Sequence, residues 1–306
     1  MRSLPSLILG TAQWGWTVDR QTAFQLLDAW LKAGFTEIDA ATNYPINKNP
    51  ADFRAAENIL EEYIRAHGLQ QLAVTMKIGS LDNMRSPEVN LAPSFVLMMA
   101  EEYRRRFDGN LRGLMVHWDN REDQNAIRTT LNALAICREE FGLQPGLSGI
   151  ARPDLYAAAN VELDLRFDIE IKHHIFHSDY ERYGLFHGGA HRFLAYGLNA
   201  GGVKLEGPYP ADSTLLARGG DPEKLAGQLE RLLALLPQLN TAFVRPPIRT
   251  MNHVGLVNAA LHPGIGGIIL GVSTPAQLNE TLDYWRNLQA FEYDDAWRVF
   301  EAFRTA

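Results

Sequence analysis

The chain alternates between two patterns of apolar and polar positions. Short apolar runs recur, each bounded by glycine or polar residues, and they are typical of buried β-strands. Between them lie longer segments in which apolar residues follow the 3.6-residue period of a helix. The apolar runs predict eight strands, at residues 7–11, 35–40, 72–78, 111–117, 147–151, 168–174, 193–198 and 267–272.

Helix boundaries are marked by capping residues. Asp19 is a good N-cap for a first helix, and Asn49-Pro50 makes a good start for a second helix that Gly68 ends. A glycine-rich connection at residues 178–191 is predicted to be irregular. The principal later helices are predicted at residues 92–107, 121–141, 219–235, 254–261, 275–288 and 294–303.

Strands that alternate with helices predict a parallel sheet with helical crossovers. A count of eight favours a closed (β/α)8 barrel, and 306 residues without a linker-like segment favour one domain spanning residues 1–306. No G-x-G-x-x-G motif follows the first strand, which argues against a dinucleotide-binding fold of the Rossmann type.

Composition narrows the class of partner and the compartment. The 29 basic and 36 acidic residues give a net charge of −7, which argues against nucleic acid or an anionic membrane as the main partner. No apolar stretch approaches the roughly 20 residues that cross a bilayer, and the N-terminus lacks a signal-like apolar run. With Cys137 as the single cysteine, we expect a cytoplasmic protein.

Four polar residues lie at or just after the ends of three consecutive predicted strands. Asp39 ends the second strand, Tyr44 follows in its loop, Lys77 ends the third strand and His117 ends the fourth. Chemistry in such barrels occurs at these ends, so the four side chains are expected to converge. Taken singly, Asp39 could cap a turn, Tyr44 could pack on the rim and His117 could be a core histidine.

Together the four residues suggest acid–base chemistry. A phenol has a pKa of about 10 and is a poor proton donor at neutral pH. A neighbouring ammonium lowers that pKa, and a buried ammonium requires a carboxylate partner. The pattern therefore predicts that Asp39 holds Lys77 and that Lys77 acidifies Tyr44.

At these residues the chain resembles the aldo-keto reductase family. The similar segments are residues 10–11, 38–44, 76–77, 116–118, 195–202 and 270–281. The resemblance implies that a hydride passes from a reduced nicotinamide to an aldehyde, ketone or sugar carbonyl. Tyr44 would donate the proton, Lys77 would lower its pKa, Asp39 would hold Lys77, and His117 would orient the carbonyl.

The resemblance also implies a dinucleotide, with NADP expected and NAD as the alternative. Tyr196 would stack on the nicotinamide, although an aromatic residue in a strand can equally belong to the core. Trp14, Trp16 and Trp118 are candidates for an apolar substrate wall. The candidate cofactor-binding residues are Gly10, Thr11, Asp39, Tyr196, Leu198, Gly201, Gly271, Ser273, Thr274, Gln277 and Glu280.

Several positions depart from the family pattern. Ala151-Arg152 stands where Ser-Asn is usual after strand five, and Lys172 stands where glutamine is usual in strand six. Basic residues that would meet a 2′-phosphate are replaced by Gly271 and Gln277, and Thr281 replaces an asparagine. These departures leave three outcomes open: NADP held by other contacts, NAD accepted, or weak dinucleotide binding.

Two further functions are compatible with the sequence. The same site could catalyse a non-redox proton transfer, elimination or isomerisation, or the barrel could be a redox-silent protein that binds cofactor and regulates a partner. A metal site is not expected, because the adjacent histidines 173 and 174 point to opposite faces of a strand. The expected partner is a small carbonyl compound, and the sequence makes no prediction of oligomeric state.

Overall fold

The computed structural model describes residues 4–210 and 213–305. The sheet order is β5-β4-β3-β2-β1-β9-β8-β6, and a further pairing of β5 with β6 closes eight parallel strands into a barrel. The strands are β1 (Ser6–Gly10), β2 (Glu37–Ala41), β3 (Ala73–Ile78), β4 (Leu111–His117), β5 (Gln144–Ser148), β6 (Asp168–His174), β7 (His177–Ser178), β8 (Arg192–Tyr196) and β9 (Ile265–Leu270). Short β7 pairs antiparallel with the end of β6 and lies outside the barrel.

Helices connect the strands and surround the barrel. They are α1 (Arg20–Lys32), α2 (Ala55–His67), α3 (Pro93–Arg106), α4 (Gln124–Phe141), α5 (Pro153–Asn160), α6 (Thr214–Ala217), α7 (Ala226–Thr241), α8 (Met251–Ala260), α9 (Pro275–Ala290) and α10 (Asp294–Thr305). Short 3₁₀ helices lie at Pro50–Asp52, Tyr180–Phe186 and Pro222–Leu225. The predicted (β/α)8 barrel is confirmed.

Within the described residues no helix combines the length and apolarity needed to cross a membrane.

Local capping explains several helix boundaries. The Asp19 carboxylate accepts a hydrogen bond from the Thr22 amide at 2.7 Å, as its predicted capping role requires. The second helix begins later than predicted, because the start at Pro50 forms only a 3₁₀ turn and Arg54 takes a left-handed φ of 69° before α2. A capped 3₁₀ turn after Asp221 likewise delays α7 to Ala226.

Two predicted segments require correction. The fifth strand was predicted at residues 147–151, but β5 spans Gln144–Ser148 and the chain bends after it. The apolar pattern missed this shift because Gln144, Pro145 and Gly146 are weak strand formers that are fixed here by pairing with β4 and β6. The segment 178–191 is more ordered than predicted, since it contains part of β7 and a 3₁₀ helix.

Side chains inside the barrel form layers. An apolar middle layer contains Ile8, Met115, Leu194 and Ile269, which pack against one another. Toward the amino ends of the strands, Arg192 pairs with Glu37 at 2.9 Å and with Asp168 at 3.5 Å. Toward the carboxyl ends the layer is polar, and it contains the predicted site residues.

Glycine makes room for the middle layer. Gly146 lies beside Met115 in the paired strands β5 and β4. A Cβ atom on Gly146 would overlap the Met115 side chain and lie 2.9 Å from the Asp168 carbonyl oxygen. The bulk of Met115 in the barrel interior therefore depends on a glycine at position 146.

We predict that Gly146→Ala destabilises the protein by about 1–3 kcal/mol, because the added methyl group overpacks the barrel interior. Urea unfolding followed by circular dichroism measures the change. Gly227→Ala is the matched control, since its Cβ would meet no heavy atom within 4 Å in helix α7. The control should leave stability unchanged or raise it by up to about 1 kcal/mol, because alanine favours a helix over glycine, and equal losses in both variants would contradict the packing argument.

Candidate active site

The polar layer at the open end of the barrel is organised around Lys77. This residue is near the end of β3 and is only 1% exposed. Its ammonium group donates hydrogen bonds to the carboxylates of Asp39 on β2 and Glu170 on β6. The Lys77 Nζ to Glu170 Oε2 distance is 3.0 Å, and both carboxylates are buried.

Glu170 was not predicted from the sequence. It faces the barrel interior, where its Oε2 also accepts a hydrogen bond from the Ser148 hydroxyl at 2.7 Å. The available signal was an acidic residue inside the otherwise apolar start of a strand, Ile169-Glu170-Ile171. A charge at such a position requires a buried partner, whereas the pattern of strand ends pairs Lys77 with Asp39 alone.

Two carboxylates on one ammonium group change the protonation of the site. Burial raises the pKa of Asp39 well above its ordinary value, and the negative charge of Glu170 raises it further, against the effect of Lys77. Burial disfavours the charged form of Lys77. The charges of Asp39 and Glu170 outweigh that effect and keep the pKa of Lys77 well above its ordinary value. Lys77 is therefore a permanent cation at neutral pH.

Tyr44 lies in the loop after β2, beside this charged group. The Lys77 ammonium lies 5.0 Å from the centre of the Tyr44 ring. The ring of Tyr44 also meets that of His117 edge-on, with centres 5.9 Å apart. The structure thus brings together the four residues Asp39, Tyr44, Lys77 and His117.

The pKa of Tyr44 differs from the predicted direction. Burial raises it above the ordinary value, Lys77 lowers it, and Asp39 and Glu170 raise it again. The net shift is upward, so Tyr44 is a neutral phenol throughout the neutral range. Lys77 acts in the predicted direction, but burial and the two carboxylates outweigh its effect on the pKa of Tyr44.

His117 is held as a neutral imidazole at the end of β4. Burial lowers its pKa well below the ordinary value, and the positive charge of Lys77 lowers it further. Its Nδ1 atom is buried without a hydrogen-bond partner among the described residues. The His117 ring also lies against Trp118, with ring centres 4.7 Å apart. This imidazole can offer one donor and one acceptor to a bound polar group.

Strand β1 and its loop contribute structural contacts near the site. The Thr11 hydroxyl donates a hydrogen bond to the Asp39 carbonyl at 2.9 Å, which fixes the backbone that carries the carboxylate. A Cβ atom on Gly10 would lie 2.9 Å from Ile269, so this glycine allows close strand packing. Both residues support Asp39, and their predicted contacts with a cofactor remain predictions.

The predicted adenosine-phosphate segment lies at the start of α9. Thr274 caps this helix by accepting a hydrogen bond from the Gln277 amide at 3.2 Å, and the Gln277 side chain accepts one from the Ser273 amide at 2.9 Å. The Ser273 hydroxyl donates to Gln13 at 2.8 Å. Glu280 is exposed, with its carboxylate 3.8 Å from His253.

The other candidate cofactor-binding residues lie beside this segment and at or after the end of β8. Gly271 is exposed, and a Cβ atom there would meet nothing within 4 Å. Tyr196 ends β8 partly exposed and packs on the apolar middle layer of the barrel. Leu198 is buried against Gly255, and Gly201 takes a left-handed φ of 86° in the following turn.

At strands five and six, the polar residues that reach the charged group differ from the residues compared with the family pattern. Ala151 and Arg152 lie beyond β5, and the partly exposed Arg152 pairs with Asp154 and Glu122. Ser148 is the residue of β5 that reaches the charged group. In β6 the buried acidic residue is Glu170, while Lys172 is two residues further along and exposed. The polar residues of the site at these strands are therefore Ser148 and Glu170.

The three candidate tryptophans occupy different environments. Trp14 has no exposed surface, so it belongs to the core and does not line the opening. Trp16 and Trp118 are partly exposed. Trp118, with a left-handed φ of 56°, borders a cavity beside His117.

The two histidines at the end of β6 have structural partners. His173 bonds Ser178 at 2.8 Å and Asn258 at 3.0 Å, and His174 accepts a hydrogen bond from the Phe176 amide. Over residues 4–210 and 213–305, no group of three or more His, Cys, Asp or Glu side chains is arranged to hold a metal ion.

The fold and the site define a class of protein: a (β/α)8 barrel with a phenol, an ammonium group, a carboxylate and an imidazole at its open end. A comparison with known families matches residues 6–143 to the Aldo/keto reductase family. An uncharacterised 11.2 kDa protein in the crtE 3′ region of Pseudescherichia vulneris is 37% identical over 83 residues, covering 25% of this chain and 77% of that protein.

The chain belongs to the aldo-keto reductase family. Membership supports an oxidoreductase, and the family generally uses NAD(P)H.

We predict that Glu170→Gln lowers the pKa of Asp39, because Glu170 raises it by electrostatic repulsion. The infrared carbonyl band of the protonated acid, followed during a pH titration, measures this pKa. Asp168 needs separate treatment, since burial raises its own pKa to about 6. The Asp168→Asn variant therefore identifies its signal, and an unchanged Asp39 titration in Glu170→Gln would refute the coupling.

Proposed function

We propose that this protein is an NAD(P)H-dependent reductase of an aldehyde, ketone or sugar carbonyl, with Tyr44 as the proton donor. The observation that carries the proposal is the buried Lys77 held by two carboxylates beside the Tyr44 ring. Family membership supports the same reaction class.

The four residues have complementary roles in this proposal. A reduced nicotinamide supplies the hydride to the carbonyl carbon, and negative charge develops on the carbonyl oxygen. Tyr44 donates its proton to that oxygen, and the Lys77 cation stabilises the phenolate as it forms. His117, as a neutral imidazole, donates a hydrogen bond that orients the carbonyl.

Asp39 and Glu170 keep Lys77 charged and hold its ammonium group in place. They also limit the acidity of Tyr44, since both raise its pKa. Tyr44 consequently remains protonated until the carbonyl oxygen becomes basic during the reaction. This arrangement favours proton transfer in the transition state over loss of the proton beforehand.

The open end of the barrel suits a dinucleotide in two places. Tyr196 offers a partly exposed ring at the end of β8, suited to stacking on a nicotinamide. In the segment that follows, Asn199 Oδ1 and Ser213 Oγ are buried without hydrogen-bond partners in the described residues, so a bound polar group would satisfy them. Gly271, Ser273 and Thr274 would hold the adenosine phosphate near the start of α9.

NADP is the proposed cofactor, with NAD as the alternative. Gly271 and Gln277 supply no positive charge for a 2′-phosphate, so the expected preference is modest. Titration of protein fluorescence with NADPH and NADH gives both dissociation constants.

A second function is favoured by one observation, the additional buried carboxylate of Glu170. A carboxylate, an ammonium group and a phenol in one cavity could catalyse a proton transfer without redox chemistry. Turnover of an enolisable carbonyl compound without any dinucleotide would favour this alternative over the reductase.

We predict that Tyr44→Phe lowers the rate of carbonyl reduction by about a hundredfold to ten-thousandfold, because it removes the proton donor. Single-turnover measurement of NADPH oxidation with an aromatic aldehyde tests this. Dinucleotide affinity should stay within about threefold, which separates lost chemistry from lost binding. Full activity in this variant would exclude Tyr44 as the donor.

The pH dependence of reduction follows from the imidazole. Since burial and Lys77 lower the pKa of His117, its neutral form persists below the pH at which an ordinary histidine becomes protonated. We therefore predict no inflection in kcat near pH 6.5, the reference value for histidine. An inflection there that disappears in His117→Gln would contradict the assignment of a neutral imidazole.

A further inference from the structure

Thr42 lies in the loop between Asp39 and Tyr44, and its hydrogen bonds reach the backbone of Lys77. The Thr42 amide donates to the Lys77 carbonyl oxygen at 3.0 Å, and the Thr42 hydroxyl donates to the same oxygen at 3.1 Å. Both bonds are made with the residue of β3 that carries the ammonium group of the site. Thr42 therefore joins the loop that carries the phenol to the strand that carries the cation.

The Thr42 hydroxyl also meets a tyrosine on the helical shell of the barrel. Its oxygen lies 2.9 Å from the hydroxyl oxygen of Tyr103, which belongs to α3 and has no exposed surface. The Tyr103 hydroxyl donates in turn to Oε2 of Glu57 on α2 at 2.6 Å. A line of hydrogen bonds thus runs from Glu57 through Tyr103 and Thr42 to the Lys77 backbone.

Glu57 is the fixed end of this line. It has no exposed surface, and Arg54 and Arg106 donate to its other oxygen, Oε1. Burial raises the pKa of Glu57, whereas Tyr103 and the two arginines act to lower it. A hydrogen bond to a carboxylate is stronger than one between neutral groups, so Glu57 takes the Tyr103 proton and leaves the Tyr103 oxygen as an acceptor for Thr42.

The same helix holds Tyr44 at a second point. The Ala56 amide, next to Glu57 in the first turn of α2, donates to the Tyr44 carbonyl at 3.4 Å. The loop is thus held by β3 on one side and by the helical shell on the other. The ion pair of Glu57 with Arg106 already joins α2 to α3. The contact of Tyr103 with the loop therefore adds a link that ends at the site.

We infer that Tyr103 and Thr42 are positioning residues of the reaction centre, which hold the Tyr44 loop in register with Lys77. The inference rests on the proposed function and adds residues that act on it from behind the loop. Because Tyr103 has no exposed surface, it acts through Thr42 and not on a substrate. Proton transfer depends on such support, since a displacement of about 1 Å at a reacting group can cost a hundredfold in rate.

The kinetic test removes each hydroxyl in turn. Tyr103→Phe and Thr42→Val should each lower the single-turnover rate of NADPH oxidation with an aromatic aldehyde by about fivefold to fiftyfold. The dissociation constant of NADPH and the aldehyde concentration that gives half the maximal rate should change by less than about threefold, since both side chains are buried. Thr42→Ser should keep at least about half of the wild-type rate, because the hydroxyl remains.

Two comparisons separate positioning from a general loss of stability. The double variant should be slower than the slower single variant by no more than about twofold, because both changes break one path. Tyr63→Phe is the matched control, since it removes a bond of the same 2.6 Å length from a buried tyrosine of α2 to the Asp28 carboxylate on α1. This control should keep the wild-type rate within about twofold.

A second measurement does not depend on any reaction. Hydrogen exchange followed by NMR reports on the amides of Thr42 and Tyr44, which donate to the carbonyls of Lys77 and Ala41. Both amides should exchange about threefold to tenfold faster in Tyr103→Phe than in the wild type, because the loop has lost one of its attachments. In Tyr63→Phe they should exchange at the wild-type rate.

Several results would overturn the inference. Unchanged exchange at Thr42 and Tyr44 in Tyr103→Phe would do so whatever the activity. Equal losses of rate in Tyr103→Phe and Tyr63→Phe would leave Tyr103 a structural role only, and so would losses that multiply in the double variant. Faster exchange in a protein that reduces no aldehyde, as the wild type or as any variant, would support the positioning of the loop and refute the reductase function alone.

Discussion

The charge of Lys77 is the constraint on which the open end of the barrel depends. An ammonium group with almost no exposed surface is tolerated only with anionic partners, and this chain supplies them from two strands on either side of the barrel. Asp39 on β2 is adjacent to β3, whereas Glu170 on β6 reaches Lys77 across the interior. The closure of the sheet and the charge state of the site are thus linked, since an open sheet would not bring β6 to β3.

The second carboxylate also changes how the site handles protons. Burial is the largest cause that raises the pKa values of Asp39 and Tyr44, and Lys77 acts against it. The negative charge of Glu170 raises both pKa values further. Asp39 and Tyr44 therefore hold their protons more strongly than the same groups would in water.

The sequence predicted the architecture, because alternating strands and helices are compatible with few other folds. It also predicted the four residues Asp39, Tyr44, Lys77 and His117, because a polar residue at the end of an apolar run marks the end of a strand. The prediction failed where the local sequence pattern disagrees with the pairing of strands in the folded protein. Strand β5 contains Gln144, Pro145 and Gly146, whose strand geometry comes from their neighbours, so the prediction began three residues late. That shift concealed Ser148. Glu170 was missed for a related reason, since the role of a charged residue inside a strand is recognised only when its spatial neighbours are known.

The apolar layer formed by Ile8, Met115, Leu194 and Ile269 separates two charged layers within one barrel. Below it, Arg192 is held by Glu37 and Asp168; above it, Lys77 is held by Asp39 and Glu170. The four side chains of this layer carry no ionisable group or hydroxyl that could relay a proton, so we expect the upper network to exchange protons with solvent through the open end of the barrel. A ligand or loop that covers this opening would then control how quickly the buried acids and the phenol exchange their protons.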